Sequence, residues 1–245
     1  MVTGAARGIG LAVAKRCAAD GYPVLAVDRN EEGLHQLAED AGGAVAPLVV
    51  ELADEEAGQK VLDGLGRVHE AHFGDGSSPK IRGIVNVAGV SRGDSIDGIT
   101  DEDWQYSMDV NATAPMRIVR ALLPLLDTRA GASIVNIASP VALVGARKVS
   151  YAASKGALLG LNAALTRNLS PDGVRVNAIL PGPTITGMTE DWPEEKRQAI
   201  AADCPLGRLC NPEDIAGPVS FLISDDAAYI TGTVLNVTGG SAMGV

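Results

Sequence analysis

Two kinds of segment alternate along the whole chain, and this alternation constrains the fold more than any other feature. Short runs rich in Val, Ile and Leu predict strands at Val24–Asp28, Ala46–Leu52, Gly83–Val87, Ser133–Ala138, Val174–Leu180 and Val234–Val237. Segments of helical periodicity between them predict helices at Leu11–Asp20, Glu31–Ala41, Asp54–His69, Asp101–Leu126, Ser150–Ser170 and Pro212–Leu222. Near-continuous apolar strands separated by helices predict an α/β fold, a doubly wound parallel sheet flanked by helices on both faces. With no internal repeat or long linker, residues 1–245 are predicted to form a single domain.

Composition narrows the class of protein. The formal net charge of −10 argues against nucleic-acid binding, because such a chain repels a phosphate backbone. No apolar run approaches the roughly 20 residues that cross a bilayer, and we expect neither a membrane span nor a signal peptide. Three scattered cysteines fit a reducing cytoplasm. His69 and His72 could share a helix face, but without a third ligand nearby we predict no metal site.

A glycine-rich stretch, "TGAARGIG", precedes the first predicted helix. Its glycines would let the backbone turn tightly and approach a pyrophosphate held at the helix N-terminus, although tight turns use glycine for other reasons too. Asp28 ends the next predicted strand, where a carboxylate can accept hydrogen bonds from the adenosine ribose and repel a 2′-phosphate. Arg7 and Arg29 could instead attract that phosphate. We expect Asp28 to dominate, so NAD is predicted over NADP.

The segment "YAASK" places Tyr151 and Lys155 four residues apart, on one face of a predicted helix. A free tyrosine has a pKa near ~10, too high for a base at neutral pH. A neighbouring ammonium and the positive nicotinamide ring are expected to lower the pKa of Tyr151, which could then exchange a proton with an alcohol or ketone. An ordinary helix-surface pair is the alternative for a Tyr-x-x-x-Lys pattern taken alone.

Further motifs follow the glycine stretch in a fixed order: "VNVAG", "VNATAP", "IVNIAS", "YAASK", "GVRVNAILPGP", "PLGR", "PEDIA" and "YITGTVLNVTGG". Together they resemble the short-chain dehydrogenase/reductase family over essentially the whole chain. The resemblance implies a Rossmann-type fold and an NAD-dependent oxidoreductase that interconverts a secondary alcohol and a ketone. Two alternatives stay open: an NADP-dependent ketone reductase, and a catalytically silent nucleotide-binding protein that acts as a redox sensor or assembly subunit.

The resemblance also implies site residues. Its catalytic tetrad matches Asn111, Ser139, Tyr151 and Lys155: Ser139 would bond the substrate oxygen, Lys155 would also bind the nicotinamide ribose, and Asn111 would hold a relay water. The implied cofactor residues, with Tyr151 and Lys155, are Gly4, Arg7, Gly8, Ile9, Gly10, Asp28, Glu51, Leu52, Asn86, Ala88, Gly89, Pro181, Gly182, Thr184 and Thr186. Family members are commonly tetramers or dimers, so a homotetramer built on Asp101–Leu126 and Ser150–Ser170 is expected.

Four features depart from the family pattern. Glu51 replaces an aspartate near the adenine, and Val87 replaces the second asparagine of Asn-Asn-Ala-Gly. Ser139 lies twelve residues before Tyr151, one fewer than is common. Of the first strand, which is central in the family, only Met1 and Val2 are expected to remain. Its loss would cost about 6–12 kcal/mol of buried apolar contacts, so we expect the natural chain to begin upstream.

The predicted substrate pocket is mostly apolar and suggests a neutral alcohol or ketone. Its candidates are Val90, Ser91, Val141, Leu143, Val144, Met188 and Trp192, and three nearby cations, Arg92, Arg147 and Lys148, leave an acidic substrate open. The segment Thr184–Cys204 is predicted to cover the substrate as a lid. The irregular segment Gly74–Lys80 is predicted to be a surface insertion.

Overall fold

The computed structural model describes residues 1–73, 78–187, 189 and 191–242. Its strands are β1 (Val2–Thr3), β2 (Val24–Asp28), β3 (Val45–Val49), β4 (Gly83–Asn86), β5 (Ser133–Ile137), β6 (Arg175–Pro181) and β7 (Val234–Val237). They form one parallel sheet in the order β3-β2-β1-β4-β5-β6-β7. The strand order reverses between β1 and β4, and ligands of such sheets bind at the carboxyl ends of the strands on either side of this switch.

Helices connect the strands. They are α1 (Gly8–Ala19), α2 (Glu31–Asp40), α3 (Ala57–Phe73), α4 (Asp101–Met108), α5 (Ala114–Leu122), α6 (Val141–Val144), α7 (Val149–Leu169), α8 (Glu194–Asp203) and α9 (Pro212–Ile223). Side-chain caps begin two of these helices. The Thr100 side chain caps α4 by accepting from the Asp103 amide, and Asn211 and Asp214 form a capping box at α9.

Both faces of the sheet are buried, as the near-continuous apolar strands predict. Along β2, Val24 and Ala26 belong to a core cluster that includes α1 and α9, whereas Leu25 and Val27 belong to a cluster that includes α3 and α5. Successive side chains of a strand point to opposite faces, so a strand covered on both sides is apolar at every position. The predicted fold class, a doubly wound α/β sheet, is therefore confirmed.

The first strand is as short as the sequence predicts, yet it occupies the centre of the sheet. Val2 is 2% exposed and pairs with Ala26 on one side and Val85 on the other. The Met1 amino group donates to the Gly83 carbonyl at 2.9 Å, and the Met1 carbonyl accepts from Val85. Burial lowers the pKa of this amino group to about 6.

The predicted helix Asp101–Leu126 is wrong as one continuous helix. A π-helical segment, Asp109–Thr113, separates α4 from α5, and a 3-10 turn, Leu123–Leu125, follows α5. Pro115 lacks the amide proton that an α-helix would direct at the carbonyl four residues back, and Pro124 has the same effect further along. The helices α6 and α8 were not predicted.

Several predicted boundaries also shift. Strand β3 ends at Val49, so Glu51 and Leu52 lie in the loop that follows it. Of the predicted insertion Gly74–Lys80, residues 74–77 lie outside the described residues. Within the described part of the chain, no helix is both long and apolar enough to cross a membrane.

Candidate active site and dinucleotide cleft

A narrow cleft of about 180 Å³ opens where the chain leaves the carboxyl ends of β1, β2 and β4, beside the loop that follows β3. Most of the predicted cofactor residues line it: Gly4, Arg7, Gly8, Ile9, Gly10, Asp28, Glu51, Leu52, Ala88, Gly89 and Thr186. Sequence reasoning missed Tyr106 and Val110, which α4 and the π segment bring to the same cleft from far along the chain. No local pattern marks either residue.

The glycine loop has the geometry that close approach to a pyrophosphate requires. Gly4 and Gly8 have positive φ angles of 66° and 54°, which side-chain-bearing residues rarely adopt. A Cβ on Gly4 would lie 2.8 Å from the Ala88 Cα, and one on Gly10 would lie 2.0 Å from the Gly4 carbonyl oxygen. Gly8 also begins α1, whose N-terminus favours an anion. The residues present therefore fit a dinucleotide.

Asp28 lies at the end of β2, where the sequence predicts it. Its Oδ2 accepts from the Ala6 amide at 3.1 Å and its Oδ1 from the Asn30 amide at 3.0 Å. These bonds fix the carboxylate between the glycine loop and the start of α2. Asp28 therefore contributes negative charge to this end of the cleft.

Arg29 brings a cation to the same end of the cleft. Its Nη1 donates to Glu51 Oε2 at 3.3 Å and to the Tyr106 hydroxyl at 2.8 Å. Arg7 also lines the cleft. Carboxylates and guanidinium groups thus both face the position at which an adenosine ribose is expected.

A second and larger cleft, of about 1080 Å³, adjoins the first and shares Ile9, Val87, Gly89 and Thr186 with it. Three members of the predicted tetrad, Ser139, Tyr151 and Lys155, line this larger cleft. The remaining predicted cofactor residues Pro181, Gly182 and Thr184 line it as well. The structure therefore gathers residues from β5, α7 and the end of β6 where the two clefts meet.

Tyr151 and Ser139 lie close enough for the Ser139 hydroxyl to act on the pKa of Tyr151. Burial raises the pKa of Tyr151, and the Ser139 hydroxyl opposes this only in part. The sequence predicted a pKa lowered by Lys155. Only burial and the Ser139 hydroxyl act on the pKa of Tyr151 here, and Lys155 does not. The expected lowering would therefore need the positive nicotinamide ring. The shorter spacing between Ser139 and Tyr151 still allows them to meet.

Lys155 lies one helical turn after Tyr151 and is 3% exposed. Its Nζ donates to the Ile137 carbonyl at 2.7 Å and lies 5.9 Å from the centroid of the Tyr151 ring. Burial lowers the pKa of Lys155 to about 8. The ammonium is therefore close to losing its proton just above neutral pH.

Asn111 lies in the π segment and is fully buried. Its Oδ1 accepts from the Val90 amide, and its Nδ2 donates to the Val90 carbonyl and to Ser154 Oγ, each at 2.8 Å. Its side chain thus ties the loop after β4 to α7, the helix that carries Tyr151 and Lys155. A relay through Asn111 stays a prediction.

Asn86 lies inside the sheet instead of on the cleft wall where the sequence placed it. It is 2% exposed, and its Nδ2 donates to Asn136 Oδ1 at 2.9 Å. Asn136 in turn donates to Asn162 on α7 at 3.0 Å. These asparagines connect β4, β5 and α7 behind the site, because amide side chains in a sheet interior find partners in one another.

The predicted substrate pocket is only partly reproduced. Ser91, Val141, Val144, Lys148 and Trp192 line the larger cleft. Val90 lines the dinucleotide cleft, Leu143 is 51% exposed, and Met188 lies outside the described residues. Arg92 stacks on Tyr106 and Arg147 pairs with Asp94, so neither cation is where an acidic substrate would need it.

The segment predicted as a lid contains α8, which supplies cleft residues that the sequence did not single out. These are Lys196, Ile200, Asp203 and Cys204, joined by Ser241 and Ala242 near the C-terminus. Lys196 lies over the ring of Trp192, 4.5 Å from its centroid. The only signal in the sequence for Lys196, Ile200, Asp203 and Cys204 was their position in the predicted lid segment Thr184–Cys204.

Comparisons with known proteins find similar chains. A family model described as enoyl-(acyl carrier protein) reductase matches residues 4–242. The 3-oxoacyl-(acyl-carrier-protein) reductase FabG of Escherichia coli is 33% identical over 244 residues, covering 99% of this chain and 96% of that protein. The FabG of Pseudomonas aeruginosa is 35% identical over 247 residues, with the same shares covered.

Two solved structures are also similar to this chain. A structure of the angucycline C-6 ketoreductase LanV with bound NADP has a TM-score of 0.89 and 30% identity, covering 99% of this chain and 95% of that chain. A structure of the landomycin C-6 ketoreductase LanV with bound NADP and rabelomycin has a TM-score of 0.86 and 29% identity, with the same coverage.

The fold and the site define a Rossmann-type, NAD(P)-dependent oxidoreductase that acts on CH–OH and keto groups. The chain belongs to the short-chain dehydrogenase/reductase family. The predicted preference for NAD over NADP finds no support in these relatives, because both solved structures contain NADP. The NADP-dependent alternative fits them better.

Proposed function

We propose that this chain is an NADP-dependent ketone reductase. The observation that carries the proposal is that Tyr151 and Ser139 together line a large cleft directly beside the glycine-lined dinucleotide cleft. A ketone in the larger cleft would lie between a proton donor and a hydride donor. The meeting of the two clefts supports transfer between a small molecule and a dinucleotide.

The reduced dinucleotide supplies a hydride to the carbonyl carbon when it is bound. Ser139 donates a hydrogen bond to the carbonyl oxygen and stabilises the charge that develops there. The Tyr151 hydroxyl gives its proton to that oxygen as the C=O π bond becomes an O–H and a C–H bond. Lys155 would hold the nicotinamide ribose by donating hydrogen bonds from its ammonium.

The raised pKa of Tyr151 suits the proton donor that ketone reduction requires. A buried tyrosine stays neutral at physiological pH and can donate a proton, whereas oxidation of an alcohol would require its phenolate. The walls of the larger cleft include Val141, Val144, Trp192 and Ile200, so we propose a bulky neutral ketone as substrate. Both groups of relatives are named as reductases of keto compounds.

NADPH is the proposed reductant. Arg7 and Arg29 line the adenosine end of the cleft and can attract a 2′-phosphate, and the LanV structures contain NADP. Asp28 opposes this choice. Comparing kcat/KM for NADPH and NADH with the same ketone measures the preference for one dinucleotide over the other. A higher value for NADH would contradict the proposal.

We also propose that this chain forms a homotetramer in the cytoplasm. Trp104 on α4 is 40% exposed and Leu123 beyond α5 is 43% exposed, apolar surface that an interface would cover. Sedimentation equilibrium at micromolar concentration measures the assembly directly. A monomer would contradict it.

The decisive experiment follows NADPH absorbance with a panel of bulky ketones, among them 1-decalone and a tetralone. We expect turnover by the wild type and a loss of about 10²–10⁴-fold in kcat in Tyr151→Phe, the usual contribution of a general acid. Tyr229→Phe is the matched control, because Tyr229 is fully exposed. Turnover that survives Tyr151→Phe would refute the mechanism, and binding of NADPH without reduction of any ketone would favour the silent sensor.

A further inference from the structure

Arg29 is held at the adenosine end of the dinucleotide cleft by two acceptors from different parts of the fold. Its Nη1 donates to Glu51 Oε2 at 3.3 Å and to the Tyr106 hydroxyl at 2.8 Å. Glu51 follows β3 and Tyr106 belongs to α4, and all three residues line the cleft. We refer to Arg29, Glu51 and Tyr106 as the arginine bridge.

Glu51 takes part in the bridge because its side chain is long. Its Oε1 accepts from the Ala53 amide at 3.1 Å while its Oε2 reaches Arg29. The family pattern has aspartate at this position, one methylene shorter. An aspartate that kept the bond to the loop amide would fall short of Arg29, since the existing contact of 3.3 Å is already long. The departure from the family thus has a structural consequence in this chain.

Tyr106 is fixed from its other side. The guanidinium of Arg92 stacks on the Tyr106 ring, 3.7 Å from the ring centroid, while the hydroxyl accepts from Arg29. A stacked cation stabilises the ring and orients it. The Tyr106 hydroxyl is therefore a positioned acceptor for Arg29.

We propose that Glu51 and Tyr106 set the preference of this cleft for a 2′-phosphate by competing with it for Arg29. The inference rests on the proposed binding of NADP. Arginine binds phosphate best through two parallel N–H groups, and Glu51 and Tyr106 both accept from one of these donors, Nη1 of Arg29. A 2′-phosphate that binds across both Nη atoms of Arg29 must displace them from Nη1, while Asp28 and Arg7 also contribute charge at the cleft. The arginine bridge makes Glu51 and Tyr106 specificity-determining residues.

The test measures binding of two adenosine probes by titration calorimetry: adenosine 2′,5′-bisphosphate and adenosine 5′-monophosphate. The ratio of their dissociation constants isolates the contribution of the 2′-phosphate. We expect Glu51→Asp to raise the preference for the bisphosphate by about two- to five-fold, the range of an exposed ion pair. Tyr106→Phe is expected to raise it less, because it removes a neutral acceptor.

Two comparisons separate this inference from simple repulsion by the Glu51 charge. Glu51→Asp keeps the charge and removes the reach, and in an Arg29→Ala background it should leave the ratio unchanged. Glu39→Asp and Tyr229→Phe, at exposed positions, are the matched controls. A circular dichroism melt of each variant identifies any that fails to fold, and Tyr106→Phe is an independent route if Glu51→Asp does.

An unchanged ratio in both Glu51→Asp and Tyr106→Phe would overturn the inference. A ratio that rises in Glu51→Gln but not in Glu51→Asp would also overturn it, because charge alone would then explain the effect. Failure of the proposed ketone reduction would not affect the measurement, since neither probe contains nicotinamide. Failure of the wild type to bind either probe would count against both proposals.

Discussion

Lys155 shows how burial at a single residue can tune a reactive site. Its ammonium is enclosed between α7 and the end of β5, where the Ile137 carbonyl is its hydrogen-bond acceptor. Desolvation disfavours the charged form, which is why its pKa falls to about 8, whereas the same burial raises the pKa of Tyr151. The two shifts have opposite signs, so the pKa of Lys155 lies below that of Tyr151. In water the order is the reverse.

A pH profile of ketone reduction should report this lysine. The lowered pKa means that Lys155 loses its proton as the pH rises through about 8, while Tyr151 stays protonated. We expect kcat/KM to be flat below pH 8 and to fall above it, approaching about tenfold per pH unit. A profile that rises through pH 8 would mean that the reduction needs a deprotonated group, contrary to the proposed role of Tyr151.

At the scale of single residues, sequence reasoning located the groups that touch the clefts better than those behind them. Tyr151 and Lys155 could be placed together because their spacing reflects a local helix, and the family resemblance supplied Ser139; all three line the larger cleft. Asn86 could not be placed, because its partner Asn136 belongs to another strand and the hydrogen bond between them depends on strand pairing. The Tyr106 contact with Arg29 spans 77 positions and leaves no local signal.

Among the elements, the turn from β1 into α1 is a tightly packed part of the dinucleotide cleft. Gly10 in the first turn of α1 faces the Gly4 carbonyl so closely that a Cβ would lie 2.0 Å from its oxygen. Helix and loop can therefore approach each other only through glycine. The glycine spacing predicted the tight turn, though not this contact, because the turn is local.

Gly10→Ala is expected to open this turn. The clash should lower the free energy of unfolding by about 1–3 kcal/mol, which overcomes the usual gain of alanine in a helix, and weaken NADPH binding at least about tenfold. Gly66→Ala in α3 is the control, because its Cβ would meet nothing within 4 Å. It should raise the melting temperature by about 2–4 °C. Calorimetric melts and NADPH titrations check both, and equal behaviour of the two variants would contradict the packing argument.

Elements in which a proline removes a backbone hydrogen bond were harder to predict. The apolar periodicity of Asp101–Leu126 is continuous, so it indicated one helix, whereas the missing amide of Pro115 produces the π segment. That segment carries the buried Asn111, whose contacts with Val90 and Ser154 join two other elements. Helix α8 has a weak apolar face, so hydrophobic periodicity did not predict this helix. Its residues line the larger cleft instead.

On the scale of the molecule, residues from both halves of the sheet form the two adjoining clefts. The dinucleotide cleft draws on the loops after β1 to β4, and the larger cleft adds the ends of β5 and β6 with α7 and α8. A dinucleotide bound across them contacts elements from both sides of the central strand. Its affinity is therefore lost when either half unfolds, which links binding to the stability of the whole chain.

NADPH should accordingly stabilise the chain as one unit. At about 100 times its dissociation constant, a ligand specific for the folded state adds about 2.7 kcal/mol, which corresponds to a rise of about 5–10 °C in melting temperature for a chain of this size. Circular dichroism and the fluorescence of Trp104 and Trp192, which lie on α4 and in the lid segment, should give the same shifted transition. Adenosine, without a pyrophosphate, should shift it far less. Two transitions that separate between the probes, with only one responding to NADPH, would mean that residues 1–245 do not unfold as the single domain the sequence predicts.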